Sequence, residues 1–360
     1  MAEPDWTRGD LDHRMRAVMV DPRNLTTVRG ELAGLVPTGR HTIGYYTDLR
    51  TTATVETHVP VGEGDGWDGS AAIRLVHVVS DHTGDLWDEV LGTYLVTDLD
   101  VTEDAGGTRR SYTLKGMLRA LEANALTRGW TVNKGMGAVD AMTRLLSNVG
   151  RAHRVMGGAR NARLSSAVSY DAGKSCLSAL FDMCDRSRNR LGVDPDGYVT
   201  IRPYVAPSTV APSLRVDASD PRGVYVGPFG TSDAVLGMPS RAVVIGTKGQ
   251  GAKVYGVAVA PTGTRTHPAV RGYSLDEVKT VNDMNPFTAA RADAVARQTL
   301  SQAISGGSEC SHGLRYVPLR DGFVEALTAP DGTTARWLVK SADLDLGSWV
   351  WELNLTGGWK

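Results

Sequence analysis

The chain has 360 residues, 41% hydrophobic and 22% charged, with a net charge of −1. That length buries a large core and fits two or three domains, while the near-zero charge excludes a global attraction to nucleic acid or an anionic membrane. Three cysteines, Cys176, Cys184 and Cys310, make no disulfide framework, and no window approaches the ~18 apolar residues of a membrane span.

The opening MAEPDWTRGDLDHRMR lacks the apolar stretch of a signal peptide, so synthesis in a reducing cytoplasm is expected, with the first dozen residues as a flexible arm. Met15–Val20 is predicted as a strand ended by Asp21-Pro22, and Leu25–Val36 as a second run closed by Pro37-Thr38-Gly39. Residues 41–59 are rich in Thr, Val and Tyr and alternate at Ala53, Val55 and Thr57. The loop GEGDGWDG leads to Ala71–Val79. Leu86-Trp87 then leads into a strand over 91–101, the turn EDAGGT and a strand over 109–116. These make an antiparallel β domain over 1–116.

The texture changes at Met117. Residues 118–126 read as a short helix with Leu118 and Leu121 inward. From Gly135 to Val149, the positions Val139, Met142, Leu145, Leu146 and Val149 keep one face apolar. In a third helix Leu177, Leu180, Phe181 and Cys184 fall at i, i+3, i+4 and i+7, with Asp171 as candidate N-cap. Leu191-Gly192-Val193, the turn Asp194-Pro195-Asp196-Gly197 and the alternating Tyr198–Ile201 predict a hairpin; Pro presets one turn dihedral and Gly supplies the positive φ. This helix and hairpin, inside a central α/β segment over 117–205, read as a packing joint without catalytic signature.

PSTVAPS, after Tyr204, is a linker. β runs resume at 223–226, 241–246 and 253–260, and residues 286–304 form an Ala-rich helix with Pro286 at its start. Runs at 313–319, 322–328, 335–344 and 348–355 complete a β domain over 206–360. The fold class is therefore α+β, mostly antiparallel β, with two small β-barrel-like domains flanking a central α/β segment.

One internal echo stands out. Tyr94-Leu95-Val96, an acidic Asp98-Leu99-Asp100, a turn and Ser111–Gly116 match Trp337-Leu338-Val339, Asp343-Leu344-Asp345, a turn and Glu352–Gly357. Common hairpin chemistry and a pair of similar barrels both account for it.

Motifs with chemistry are few. Gly173-Lys174-Ser175 precedes a helix, but the phosphate loop also needs a glycine where Val168 stands. Gly192 to Gly197 fails as a calcium loop, because Gly192 replaces the first carboxylate and Pro203 the closing Glu. Glu309-Cys310-Ser311-His312 puts Cys310 and His312 on one side of a strand, a nucleophile and base that lack a visible orienting group; a polar strand start is the favoured reading. His13, His41, His58, His77 and His82 are scattered and carboxylates dispersed, so neither zinc nor a glycosidase pair is indicated. No catalytic, cofactor-binding or metal-binding residue is assigned, and no cofactor is expected. Trp349 and Trp351 share a strand face suited to a core layer or a subunit contact, core being favoured.

The order LGTYLVTDLDV…RSYTLKGML, MGAVDAMTRLLSNV, DAGKSCLSALFDMCDRSRNRLGVDPDGYVTIRPY and a β domain with an Ala-rich helix resembles the tail hub, or minor tail, proteins of siphophages. The LSALFDMCD helix and DPDGYVTIRP hairpin are similar to the baseplate-hub fold of contractile tails and related injection machines. The resemblance implies two similar barrels per subunit and a homotrimer whose six barrels match a six-fold tail tube to a three-fold spike. It implies as partners the tail tube or distal tail protein, the tape-measure protein and the fibres or spike. DNA would cross the lumen without sequence-specific contact, and the virion tail tip would be the location. With no extension after Trp359, receptor binding or wall digestion is expected of another protein. Two other classes stay open: a cell-wall hydrolase or peptidase using Cys310 and His312, and a carbohydrate-binding protein using Trp67 or Trp87.

Overall fold

Two-residue alternation of apolar side chains accounts for most of the strands in the computed structural model, which describes residues 4–7, 11–81, 84–233, 237–248, 252–281, 288–305 and 308–359. The first part carries β1 (Asp12–Val20), β2 (Val28–Glu31), β3 (Leu35–Gly44), β4 (Thr51–Val59), β5 (Ala72–Asp81), β6 (Gly84–Asp104) and β7 (Gly107–Gly116). The middle carries α1 (Leu118–Ala123), β8 (Trp130–Val132), α2 (Ala138–Asn148), β9 (His153–Val155), β10 (Val168–Tyr170), α3 (Cys176–Ser187), β11 (Asn189–Val193) and β12 (Val199–Pro203). Next come β13 (Leu214–Asp217), β14 (Tyr225–Asp233), β15 (Arg241–Lys248), β16 (Ala252–Val259), the single turn α4 (Pro268–Arg271) and β17 (Asp276–Val281). The last are α5 (Ala289–Ser305), β18 (Ser308–Arg315), β19 (Val324–Thr328), β20 (Thr334–Asp345) and β21 (Val350–Trp359).

The mostly antiparallel α+β class holds, but the two ends are not separate closed barrels. One 13-stranded sheet runs β14-β18-β21-β20-β3-β4-β7-β6-β5-β1-β2, with β19 and β13 joined through β20. The reason lies in β20: its first residues pair with β19, and its last five, Ser341–Asp345, pair with Gly44–Arg40 of β3. Thr42 Oγ1 donates to Asp343 Oδ1 at 2.5 Å across the seam. Behind it lies one core, holding Ile73, Tyr94, Tyr112 and Leu114 together with Leu344, Trp351, Leu353 and Leu355. His41, on β3, sits between the ends: the Tyr94 hydroxyl donates to its Nδ1 at 2.7 Å, and the Trp351 ring meets it edge-on at 5.8 Å. Burial brings the His41 imidazole down to about 4, so the neutral ring accepts that proton.

Helix α3 buries Leu177, Leu180 and Cys184 as its spacing predicts, and leaves Phe181 half-buried. Its N-cap is Ser175, whose Oγ accepts the Ser178 N–H at 3.1 Å, not Asp171, which lies four residues too early. The hairpin after it is the packing joint. Thr93 Oγ1 donates to the Pro195 carbonyl at 2.8 Å on one side, and Arg190 Nη2 donates to Asp321 at 2.8 Å on the other. A separate layer places α5 on the sheet β16-β15-β17, with Ala292, Ala296 and Leu300 against Ala242, Val244 and Ala258.

Several strand boundaries differ from expectation, three of them with a visible physical reason. The run Leu25–Val36 breaks at Gly34, whose φ of 65° and contact with the His58 carbonyl exclude any side chain. The run expected at 313–319 is instead β18 over 308–315, because the polar Glu309, Ser311 and His312 hide an inward Cys310-His312-Leu314 alternation. Trp349 lies in the turn before β21 at φ 56°, off the strand that carries Trp351, yet both are buried in the same core. The opening arm is also docked: Trp6 packs edge-on against Trp87 at 5.1 Å and Tyr316 at 5.2 Å. Pro286 and His82 lie outside the described residues.

Trp351 is 1% exposed and its Nε1–H donates to the Val317 carbonyl at 3.0 Å. Urea denaturation should show Trp351→Ala less stable by about 3–5 kcal/mol. Trp351→Phe should lose about 1–3 kcal/mol, since it leaves that carbonyl unpaired. Equal losses would mean that the lost hydrogen bond, not the lost volume, sets the cost there.

Candidate functional site

The internal echo is a structural repeat. In the first hairpin Tyr94 faces Gly116 and Val96 faces Leu114; in the second Trp337 faces Gly357 and Val339 faces Leu355. Each register then slips by one residue, at Thr97 and at Lys340, directly after the aromatic-Leu-Val triplet. Each hairpin thus opens on an aromatic residue paired with a glycine, and a bulge bends both strands alike. The correspondence extends outward. β4 pairs with β7 and β5 with β6, as β18 pairs with β21 and β19 with β20. The first unit is β3-β4-β7-β6-β5 and the second β14-β18-β21-β20-β19.

This repeat explains the Cys310–His312 pair. Ala53 and Val55 face Leu114 and Tyr112, whereas Cys310 and His312 face Leu355 and Leu353, so the two pairs are equivalent. Ile73 and Glu325 are equivalent likewise, opposite Tyr94 and Trp337. Cys310 and His312 do share a face, and that face is the core: they are 2% and 4% exposed. Burial, then the Glu325 charge, pushes the Cys310 thiol up to about 12, away from a nucleophilic thiolate. His312 Nε2 lies 3.0 Å from Glu325 Oε1 and its Nδ1 lies 2.9 Å from the Gly313 carbonyl. Both nitrogens face oxygen atoms, an arrangement the imidazolium satisfies by donating to each. Burial lowers the His312 pKa, but Glu325 and the Gly313 carbonyl outweigh it and hold it above the ordinary value.

The two tryptophans considered for glycan binding are not free loop rings. Trp67 Nε1 donates to the Ala71 carbonyl at 3.1 Å and its ring meets Tyr112, while Trp87 lies within β6 against Trp6. An imidazole pair also closes the two ends together. His13 Nδ1 lies 2.9 Å from His77 Nε2, and the His77 ring stacks on Trp349 and meets Tyr316 edge-on, both at 4.0 Å. Burial, with His13 beside it, brings His77 down to about 2, so it stays neutral. Gly173-Lys174-Ser175 forms the turn and N-cap of α3, with Gly173 at φ 88°. Among the described residues no helix is long and apolar enough to cross a membrane.

Because hydrocarbon fills the equivalent positions of the first unit, His312→Val combined with Glu325→Ile is expected to match or exceed the parent stability, by up to about 4 kcal/mol. Either substitution alone should lose about 3–5 kcal/mol, as it strands one buried partner. The raised His312 pKa stabilises the fold fully below its unfolded value of 6.5. That contribution fades as pH rises through the folded pKa, so the double variant should gain on the parent in alkaline buffer. Denaturation midpoints at acid and alkaline pH measure both effects.

No protein-family model matches this chain, and no curated protein matches its sequence. Solved structures do match, over nearly the whole length. A tail protein from Neisseria meningitidis MC58 superposes with a TM-score of 0.67 at 12% identity, over 96% of each chain. The 43 kDa tail protein of prophage MuSo2 from Shewanella oneidensis gives 0.65 at 9% identity, over 94% of this chain and 98% of that one. The E. coli c3393 protein, a type VI secretion component similar in structure to the T4 tail proteins gp27 and gp5, gives 0.51 at 9% identity, over 96% and 76%. The chain has the fold of the phage tail and baseplate hub-like proteins.

Proposed function

We propose that this protein is a structural, non-enzymatic hub subunit of a phage tail tip. Three copies would form a ring of six near-equivalent β units, joining the tail tube and tape-measure protein to distal fibres or a spike while DNA passes through the lumen. The observation that carries this reading is the repeat itself. Two five-strand units with the same pairing order and the same bulge give each subunit two similar faces, as pseudo-six-fold packing of three chains requires.

Further support comes from the open face of the sheet β16-β15-β17. Tyr255, Val257, Val259 and Val278 project from it, each about half or more exposed. Apolar side chains so grouped favour a covering neighbour in an assembly. In this reading residues 1–116 and 206–360 carry the two β units and 117–205 the joint between them. The hydrolase reading is weaker, since Cys310 and His312 lie beneath the sheet in core positions.

Light scattering with negative-stain imaging tests the proposal. The expected result is a mass of three chains and a ring-shaped particle, formed alone or on adding the tail tube and tape-measure proteins. A stable dimer, or a monomer that persists with those partners present, would overturn it.

A further inference from the structure

A cleft of about 270 Å³ opens where the turn after β3, helix α3 with β11, and the linker after β12 meet. Tyr45, Tyr46, Phe181 and Tyr204 wall it, and Arg50 and Arg190 line it. Tyr, Phe and Arg are the residues that anchor protein–protein contacts.

Arg50 is the anomaly. Its φ of 64° lies in the left-handed region, which a residue with a side chain occupies only under strain. Its Nη1 donates to the Tyr45 carbonyl, and its guanidinium lies 5.6 Å from the centre of the Phe181 ring. Its Nε is sealed from water without an acceptor, and no carboxylate of the described residues stands within ion-pair distance. Burial, then the like charge of Arg190, brings the Arg50 guanidinium down to about 10. Arg190 lies 3.5 Å over the Tyr45 ring, and its Nε too has no acceptor. A partly buried cation without a counter-ion is unfavourable unless one arrives.

The neighbouring charges set what that counter-ion is. Arg190 and Arg202 share the one carboxylate of Asp321, and Asp185 faces Lys279, so Arg50 keeps no counter-charge and the cleft has room for one negative charge beside it. That matches a carboxylate better than a phosphate dianion. We infer that the cleft docks a partner polypeptide presenting one Asp or Glu side chain beside an aromatic residue. The carboxylate sits between Arg50 and Arg190, and the ring sits against Tyr46 and Tyr204. This docking site stands on the cleft alone and does not depend on the hub assignment.

Titration calorimetry with three N-acetylated probes tests it: acetyl-Phe-Glu-Phe-amide, its Gln counterpart, and acetyl-Phe-Gln-Phe with a free terminal carboxylate. The Glu peptide should bind at least about tenfold more tightly than either other probe, because a charge-assisted bond to arginine is at stake. Arg50→Met should lose about tenfold in affinity while melting no lower than the parent. Tyr46 is 61% exposed, so Tyr46→Ala keeps the fold and should also weaken binding severalfold. Equal binding of the Glu and Gln peptides, binding of the free-acid probe alone, absence of heat at millimolar peptide, or an unchanged Tyr46→Ala variant would each overturn the inference. Should Arg50→Met fail to fold, the peptide comparison and Tyr46→Ala still decide it.

Discussion

Five paired positions, from Arg40 opposite Asp345 to Gly44 opposite Ser341, hold the architecture together. Without them the chain would present two open sheets, each with an apolar face too large for its own cover. With them the strands form one continuous sheet over a core shared by both ends. His41 and the His13–His77 pair are consequences of that closure: they are polar groups caught between the two ends and kept neutral by burial.

The two β units reach the same backbone by different side chains. Tyr94 and Trp337 both pair with a glycine, but Val55 and Ile73 in one unit become His312 and Glu325 in the other. What the units share is pairing order, bulge position and the inward alternation. Those features tolerate wide sequence change, which accounts for a whole-length structural match at 12% identity.

Much of this was readable from the residues. Alternation located most strands, turn chemistry located the hairpin at Asp194–Gly197, and the echoed aromatic-Leu-Val triplets marked the repeat. Three things were hidden. The pairing of β20 with β3 spans 301 residues at Thr42–Asp343, and no local pattern encodes so distant a partner. The inward face of β18 was masked by His312, a polar residue in a core position whose justification, Glu325, lies on another strand. The Arg50 cleft assembles from three separate stretches, none of which is unusual alone.

The seam between β3 and β20 also imposes an order in time. A ribosome adds roughly 5–20 residues per second, so β3 waits about 15–60 s for its partner strand after it emerges. Through that interval its outer edge is an unpaired ladder able to recruit any passing strand. Arg40, His41 and Thr42 lie along that edge, so it carries charge and polarity until Asp343 arrives to meet Thr42. The residues that secure the finished seam thus also guard the nascent chain against the wrong neighbour.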